Sequence, residues 1–427
     1  MPVADGINIM KSGAAKIFFL FAALFLFSSL CADESDALQQ KARNGDIAAQ
    51  LKLADEYFFG KNRRPLNPVL AVYWFRRAAD AGNANAQYNL AVCYDKGWGV
   101  EKNPLAAAHF FRLSSAKLPQ AKVRYAEKLY FGHKLFKDEK NEFPELKADP
   151  KAALQLLRDT AKVWKEAYFS LAKLLYLNTP LHAAELFQVL DKYAPDSNNP
   201  DALIMYSACL RAGIGCLPDP AAGAKYLERA AALNHPDAIA QLAEIIELGT
   251  GLPRDPERAI DLEKRAIKLG SPRALCNHGE RYLTGNRVTS DPVKAFELFQ
   301  QAANKNYPPA IYQLGQCYAM GIGVEPDEQK ALNYFLKASD MGNGEASFEV
   351  AKRHRDGRGI SKSEYHYHAY LERAAAAGNI SARRLLGAEL LRRNDPRDRR
   401  RGQQILLELA AVGDRAAQAI LQGAAAF

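Results

Sequence analysis

From Ala310 to Met320 the apolar residues Ala310, Ile311, Leu314, Cys317 and Tyr318 recur at steps of three and four, which gathers them along one side of a helix. Gly321-Ile322-Gly323-Val324 breaks the run. A glycine free to turn left-handed ends a helix, and the aliphatic residue that follows packs back onto its last turn. A second apolar pattern comes next, Lys330-Ala331-Leu332-Asn333-Tyr334-Phe335-Leu336-Lys337-Ala338, echoed by Lys294-Ala295-Phe296-Glu297-Leu298-Phe299-Gln300-Gln301-Ala302. Its small alanines permit close helix approach and its aromatics fill the space beside them. The pattern therefore predicts two helices joined by a glycine turn.

The hairpin returns with a period of 36 residues: Ala274, Ala310, Ala346 and Ala382 stand in one phase. Followed in both directions the column includes Ala49, Ala86, Ala121, Ala167, Ala202, Ala238 and Ala417, at spacings of 35 to 37 apart from one gap of 46. The turn recurs as Gly97-Trp98-Gly99-Val100, Gly213-Ile214-Gly215-Cys216, Gly249-Thr250-Gly251-Leu252 and Gly357-Arg358-Gly359-Ile360. Second helices open on a polar cap and a proline: Asn67-Pro68, Asn103-Pro104, Asp149-Pro150, Asp219-Pro220, Asp255-Pro256, Asp291-Pro292 and Asp395-Pro396. The cap accepts from free backbone amides while proline has no amide to leave unpaired, a gain of about 1 kcal/mol per helix. Repetition at this length is the mark of a stacked solenoid, in which each hairpin buries its apolar face only against its neighbours. The expected fold class is all-α, an α/α solenoid of about ten helix-turn-helix units in one elongated domain.

Period, glycine turn and alanine columns together resemble the Sel-one-like repeat, a relative of the tetratricopeptide repeat, over Gly45 to Ala417, best at Gly82 to Ala116 and Gly270 to Ala377. The resemblance implies a superhelix whose first helices line a concave side. The unit from Trp164 to Tyr193 lacks the glycine turn and Tyr367 replaces the alanine seen at Ala331, so local irregularity is expected at both.

The N-terminus differs in kind. Ile17 to Phe27 is an unbroken apolar run behind Lys11 and Lys16, followed by Ser28-Ser29-Leu30-Cys31-Ala32 and then Asp33-Glu34. This reads as an export signal over 1–32, with Met10 an alternative start and cleavage after Cys31 or Ala32. The run is short for a transmembrane span, and Leu30 before Cys31 matches a lipid-attachment signal poorly. The expected boundaries are a short segment at 33–44, the repeats at 45–412 with an insertion near 132–148, and a capping segment at 413–427. The expected location is the periplasm or the medium. A net charge of +9 spread over 427 residues reflects solubility rather than nucleic-acid binding, for which no recognised module is present.

Export makes disulfides permissible, and without Cys31 an odd set remains: Cys93, Cys209, Cys216, Cys276 and Cys317. Cys209 and Cys216 suit a local disulfide; the competing reading is packing as small apolar side chains. The glycine turns follow helices, without the strand a phosphate loop needs. His366 and His368 lie two apart on one helix, with His354 on the preceding one, and no metal-ligand spacing joins them. No nucleophile motif is present, so no catalytic residue, metal or cofactor is assigned.

A polar stripe on the first helices is the candidate partner-binding strip: Lys52 with Glu56, Asn89 with Cys93, Gln241, Asn277 with Arg281, Gln313 with Cys317, and Glu349 with Arg353. Four-residue spacing places each pair on one helix face, and stacking aligns the pairs. The insertion around His133 to Phe143 is expected to project as a loop. Arg392, Arg393, Arg397, Arg399, Arg400 and Arg401 form a basic cluster able to meet an acidic partner or a cell-wall polymer, or to keep a terminal repeat soluble. Two functions follow: an exported scaffold offering a helical surface to a protein or extended peptide, or a cell-envelope protein that binds or hydrolyses peptidoglycan or a β-lactam-like ligand, as the resemblance implies for some exported members.

Overall fold

The structure, a computed structural model, describes residues 37–62, 64–133, 143–177 and 179–424. The expected signal over 1–32 and residues 134–142 of the insertion lie outside the described residues.

The fold is an all-α helical repeat solenoid; among the described residues there is no strand, only an isolated antiparallel bridge between His133 and Leu146. The described residues fall into two compact units, one of those up to Ser197 with Ile214–Cys216, the other of Asn198–Gly213 with those from Leu217 onward. The first holds α1 (37–43), α2 (Ile47–Phe59), α3 (Pro68–Asp80), α4 (Ala84–Lys96), α5 (Pro104–Ser114), α6 (Pro119–Phe131), α7 (Pro150–Ala161), α8 (Ala167–Tyr176) and α9 (Thr179–Tyr193). The second begins with α10 (Pro200–Ala212), α11 (Pro220–Ala232), α12 (Pro236–Leu248), α13 (Pro256–Lys268), α14 (Pro272–Thr284) and α15 (Pro292–Ala303). It ends with α16 (Pro308–Met320), α17 (Glu328–Asp340), α18 (Gly344–Asp356), α19 (Glu364–Ala376), α20 (Ile380–Arg392), α21 (Pro396–Ala411) and α22 (Arg415–Ala424).

The alanine column is the seam of each hairpin: Ala86, Ala121, Ala167, Ala202, Ala238, Ala274, Ala310, Ala346, Ala382 and Ala417 are 0% exposed and Ala49 5%. Anything larger would hold the helices apart. Aromatics from the second helices complete the core, Phe75 and Phe111 in the first unit, Phe299 and Phe335 in the second. The expected caps all form: Asn67, Asn103, Asp149, Asp219, Asp255, Asp291 and Asp395 each accept a backbone amide two or three residues on. First helices are capped as well, by Asp46, Asn83, Asn199, His235, Ser271, Asn343 and Asn379.

Each glycine of the turn has its own task. Gly321 is the left-handed cap of α16, at φ 70°. Gly323 also has positive φ, 66°, but its decisive property is a missing side chain: a Cβ there would stand 2.1 Å from the Pro292 carbonyl oxygen at the start of the preceding second helix. Gly99 and Gly251 sit likewise against Pro68 and Pro220, at 2.2 and 2.3 Å. In the α14 hairpin Arg287 occupies this seat, in the left-handed region at φ 64°.

Irregularity appears at one of its two expected places. α9 is interrupted at His182, whose φ of −121° and ψ of 15° leave the helical region. At Tyr367 the expectation fails, because α19 runs unbroken and the buried ring sends its hydroxyl to Glu389. The insertion is pinned at its base. His133 and Leu146 exchange backbone hydrogen bonds of 2.7 and 3.1 Å, and Asp149 N then donates to Leu129 O at 2.8 Å, as Asp291 donates to Tyr282 in a regular repeat.

Candidate functional site

The two columns of the polar stripe differ in depth. Lys52 is exposed, and Asn89, Gln241, Asn277, Gln313 and Glu349 are half-buried. Four residues further on, Glu56 (6% exposed), Cys93 (1%), Cys317 (1%) and Arg353 (2%) are closed off from solvent. The charged members of this deeper column are engaged within the chain. Glu56 takes Arg64 Nε and Asn62 Nδ2, both at 2.8 Å. Arg281 donates from Nε to Glu263 at 2.8 Å and from Nη1 to Glu247 at 3.0 Å. Arg353 lies 4.4 Å above the Phe335 ring and reaches Glu349 at 2.9 Å and Glu328 at 3.2 Å. A cation taken from water needs such partners to remain charged. Burial works against the charged forms, and the hydrogen bond and charge of Glu247 and Glu263 still lift the Arg281 pKa above its ordinary value.

Rungs between successive first helices order the shallow column of the second unit. Asn277 Nδ2 donates to Glu244 at 2.7 Å, and Gln313 Nε2 to Glu280 at 3.0 Å. Between α12 and α14 this surface opens into a cleft of about 650 Å³, walled by Glu244, Glu247, Glu280, Asn277, Arg281 and Arg254. Leu248, 71% exposed, stands at its margin. Opposed charges and amides beside an exposed aliphatic side chain suit recognition of an extended peptide, whose backbone offers donors and acceptors at every residue. Asn277 and Arg281 were legible as stripe members. The glutamates on neighbouring turns of α12 and α14 were missed, because acidic residues occur throughout the chain and only the packing selects these.

Cys93, Cys276 and Cys317 are buried. Burial pushes the thiols of Cys93 and Cys317 up to about 11 and that of Cys276 to about 12, which keeps them protonated. Cys209 is buried and Cys216 half-buried in the turn that follows. Ring stacking brings His354 to 4.9 Å from His366, while His368 turns to Glu364 and Glu389. Among the described residues no three His, Cys, Asp or Glu side chains are grouped as metal ligands. In the basic cluster Arg393 pairs with Asp398 at 3.1 Å and Arg401 with Glu372 at 3.0 Å; Arg397 and Arg399 are exposed without an ion pair among the described residues. No helix of the described residues is long and apolar enough to cross a membrane.

The sequence profile of the Sel1 repeat matches residues 47–83, 84–117, 200–235, 236–271, 272–307, 308–343 and 344–379. The stretch it passes over contains the insertion and the hairpin without a glycine turn. A protective antigen of uropathogenic Escherichia coli with an SLR fold is 20% identical, with 91% of this chain and 82% of that one covered at a TM-score of 0.49. A Sel1 repeat protein of Oxalobacter formigenes is 21% identical over 82% of this chain and 88% of its own, at 0.37. An immunity protein of Pseudomonas aeruginosa is 22% identical over 49% of this chain and 78% of its own, at 0.38. No curated protein matches the full sequence.

Proposed function

The chain belongs to the Sel1 repeat family, whose fold is generally a protein–protein interaction scaffold, and from that premise we propose that it is an exported scaffold that holds an extended stretch of a partner protein along its first helices. The cleft between α12 and α14 is the anchor of that surface, and it is the observation that carries the reading. It draws lining residues from successive repeats, it combines charge with amide groups, and its own ion pairs hold its walls in place before a partner arrives. Such preorganisation lowers the ordering cost of association. The remaining shallow residues, Lys52, Asn89, Gln241, Gln313 and Glu349, extend the contact within their own units. Glu56, Arg281 and Arg353 support it from beneath, so reversing their charge would disturb folding and binding together.

A photocrosslinking amino acid at exposed Thr284, which lines the cleft, tests the reading in the native cell, with exposed Lys225 on a second helix as control. A defined adduct from position 284, absent from 225 and abolished by Glu280→Lys with Leu248→Ala, is expected. Equal adducts from both positions would remove the cleft from the account. Export rests on the apolar run Ile17 to Phe27 and its flanks, and N-terminal sequencing should find the chain cut after Cys31 or Ala32. An uncut chain recovered from the cytosol would refute it. Arg392, Arg397, Arg399 and Arg400 are exposed and without an ion pair among the described residues, which leaves them for an acidic partner or wall polymer; binding indifferent to salt would exclude that contact.

A further inference from the structure

The insertion does more than tolerate extra length. In the regular second helices of the described hairpins the position equivalent to His109 faces water: Tyr73, Gln155, Lys225, Asp261, Glu297 and Asn333 are all exposed. His109 on α5 is half-buried, because the chain returning from the insertion lays Phe143 across this face, with ring centroids 5.1 Å from His109, 5.9 Å from Phe110 and 6.4 Å from Tyr94. The His133–Leu146 bridge fixes the segment that follows. Between that segment, α5 and α6 lies a pocket of about 230 Å³. It has apolar walls of Leu105, Ala108, Pro144 and Leu146, and polar groups from His109, Arg112, Tyr125 and Glu145.

Arg112 and Glu145 carry opposite charges and border the same small cavity, yet neither forms an ion pair or side-chain hydrogen bond with any described residue. Elsewhere along this chain such neighbours meet, as Arg158 meets Glu185 at 2.6 Å. Two opposite charges that border one small cavity with apolar walls are complementary to a molecule carrying both charges and a short apolar group. The volume is below the roughly 300 Å³ at which sites for drug-sized ligands begin, which limits the occupant to a small molecule. Burial, and the positive charge of Arg112, lower the His109 pKa, so its imidazole is neutral at neutral pH and contributes a hydrogen bond without a third charge.

We propose that this pocket binds a free α-amino acid with an aliphatic side chain, its carboxylate on Arg112, its ammonium on Glu145 and its side chain against Leu105 and Leu146. The site is separate from the cleft of the second unit, so it stands or falls independently of the scaffold reading. Calorimetric titration of the mature protein with L-leucine should give a saturable one-to-one isotherm. N-acetyl-L-leucine, which lacks the ammonium, and L-leucinamide, which lacks the carboxylate, should each bind at least ~10-fold more weakly, since each loses a charge-assisted contact. Arg112→Gln and Glu145→Gln should weaken L-leucine by a similar factor without moving the melting temperature, both side chains being exposed and unpaired. N-acetyl-L-leucine binding as tightly as L-leucine would overturn the assignment in favour of a peptide chain end. No heat with L-leucine, L-isoleucine or L-valine, or binding unaffected in both variants, would overturn the site itself.

Discussion

Cys317 and Arg353 occupy the same position in consecutive repeats, and both are almost inaccessible, at 1% and 2% exposure. Cys317 fills its slot with a neutral thiol. Arg353 fills the equivalent slot with a cation supported by Glu349, Glu328 and the face of Phe335. Those carboxylates are local additions: the positions equivalent to Glu349 and Glu328 one repeat earlier are Gln313 and Pro292. Arg281 uses a different pair, and its Glu263 stands where the next two repeats place Phe299 and Phe335. The architecture therefore demands only that the slot be filled. Whether an apolar or a charged group fills it is decided between a first helix and the hairpin before it, provided that the partner changes with it. By the usual balance for buried ion pairs, the charged solution adds little net stability over the apolar one.

The largest expected effect comes from putting a charge where no partner waits. Cys317→Arg should lower unfolding free energy by about 4 kcal/mol in urea titration, because Gln313 and Pro292 supply no carboxylate. Adding Gln313→Glu should recover part of the loss, and no recovery would mean that volume rather than charge dominates. Next, Glu263→Phe alone should cost about 3 kcal/mol by taking from half-buried Arg281 one of its two carboxylates and leaving Glu247 alone to hold it, whereas Glu263→Phe with Arg281→Cys should cost less. A double variant that costs as much as the single one or more would contradict the equivalence of the two solutions.

A smaller effect is expected from pH. Burial, with the charge of neighbouring His366, outweighs the hydrogen bond to the Ser361 backbone and lowers the His354 pKa from its ordinary 6.5. The folded chain then binds fewer protons than the unfolded one as pH falls below 6.5, so stability is lost from there downward. Glu328 acts lower on the scale: burial opposes its charge, but the hydrogen bond from Arg358 and the charges of Arg353 and Arg358 hold its pKa below 4.5. Its contribution is present above that value and fades as pH falls through the lowered one. Urea midpoints should decline between pH 7 and 5 less steeply in His354→Phe than in the parent chain; equal slopes would exclude the histidine. The smallest perturbation is chemical. With the Cys317 thiol raised from 9.0 to about 11, two units, its thiolate is ~100-fold scarcer than in the unfolded chain, and alkylation at pH 8 should slow at least that much.

Much of this was legible in the sequence. The alanine seam, the caps and the helix-ending glycines each obey a rule that involves only nearby residues, and each was placed correctly. The depth of the second polar column was not, because it depends on groups brought up from elsewhere: Glu328 lies 25 residues from Arg353, and Glu263 lies 18 from Arg281. Four-residue spacing shows that Gln313 and Cys317 share a helix face; it does not show that one of them is closed off from solvent. The second glycine of each turn was read as part of a helix stop, and its contact with the preceding repeat emerged only with the fold. The α5 pocket was equally hidden, since Phe143 reaches His109 only after the insertion has turned back.

Gly323, Gly99 and Gly251 join hairpins through bare backbone, glycine against a carbonyl oxygen. Such a joint has no side-chain code of its own to match, and the matching between hairpins is left to positions such as Arg281 with Glu263 and Arg353 with Glu328. Genes for chains of this kind are free to lengthen or shorten by in-frame copying of whole hairpins. Arg287 shows that the seat also admits a side chain when the backbone there stays left-handed, so what selection must guard is that conformation at the joint.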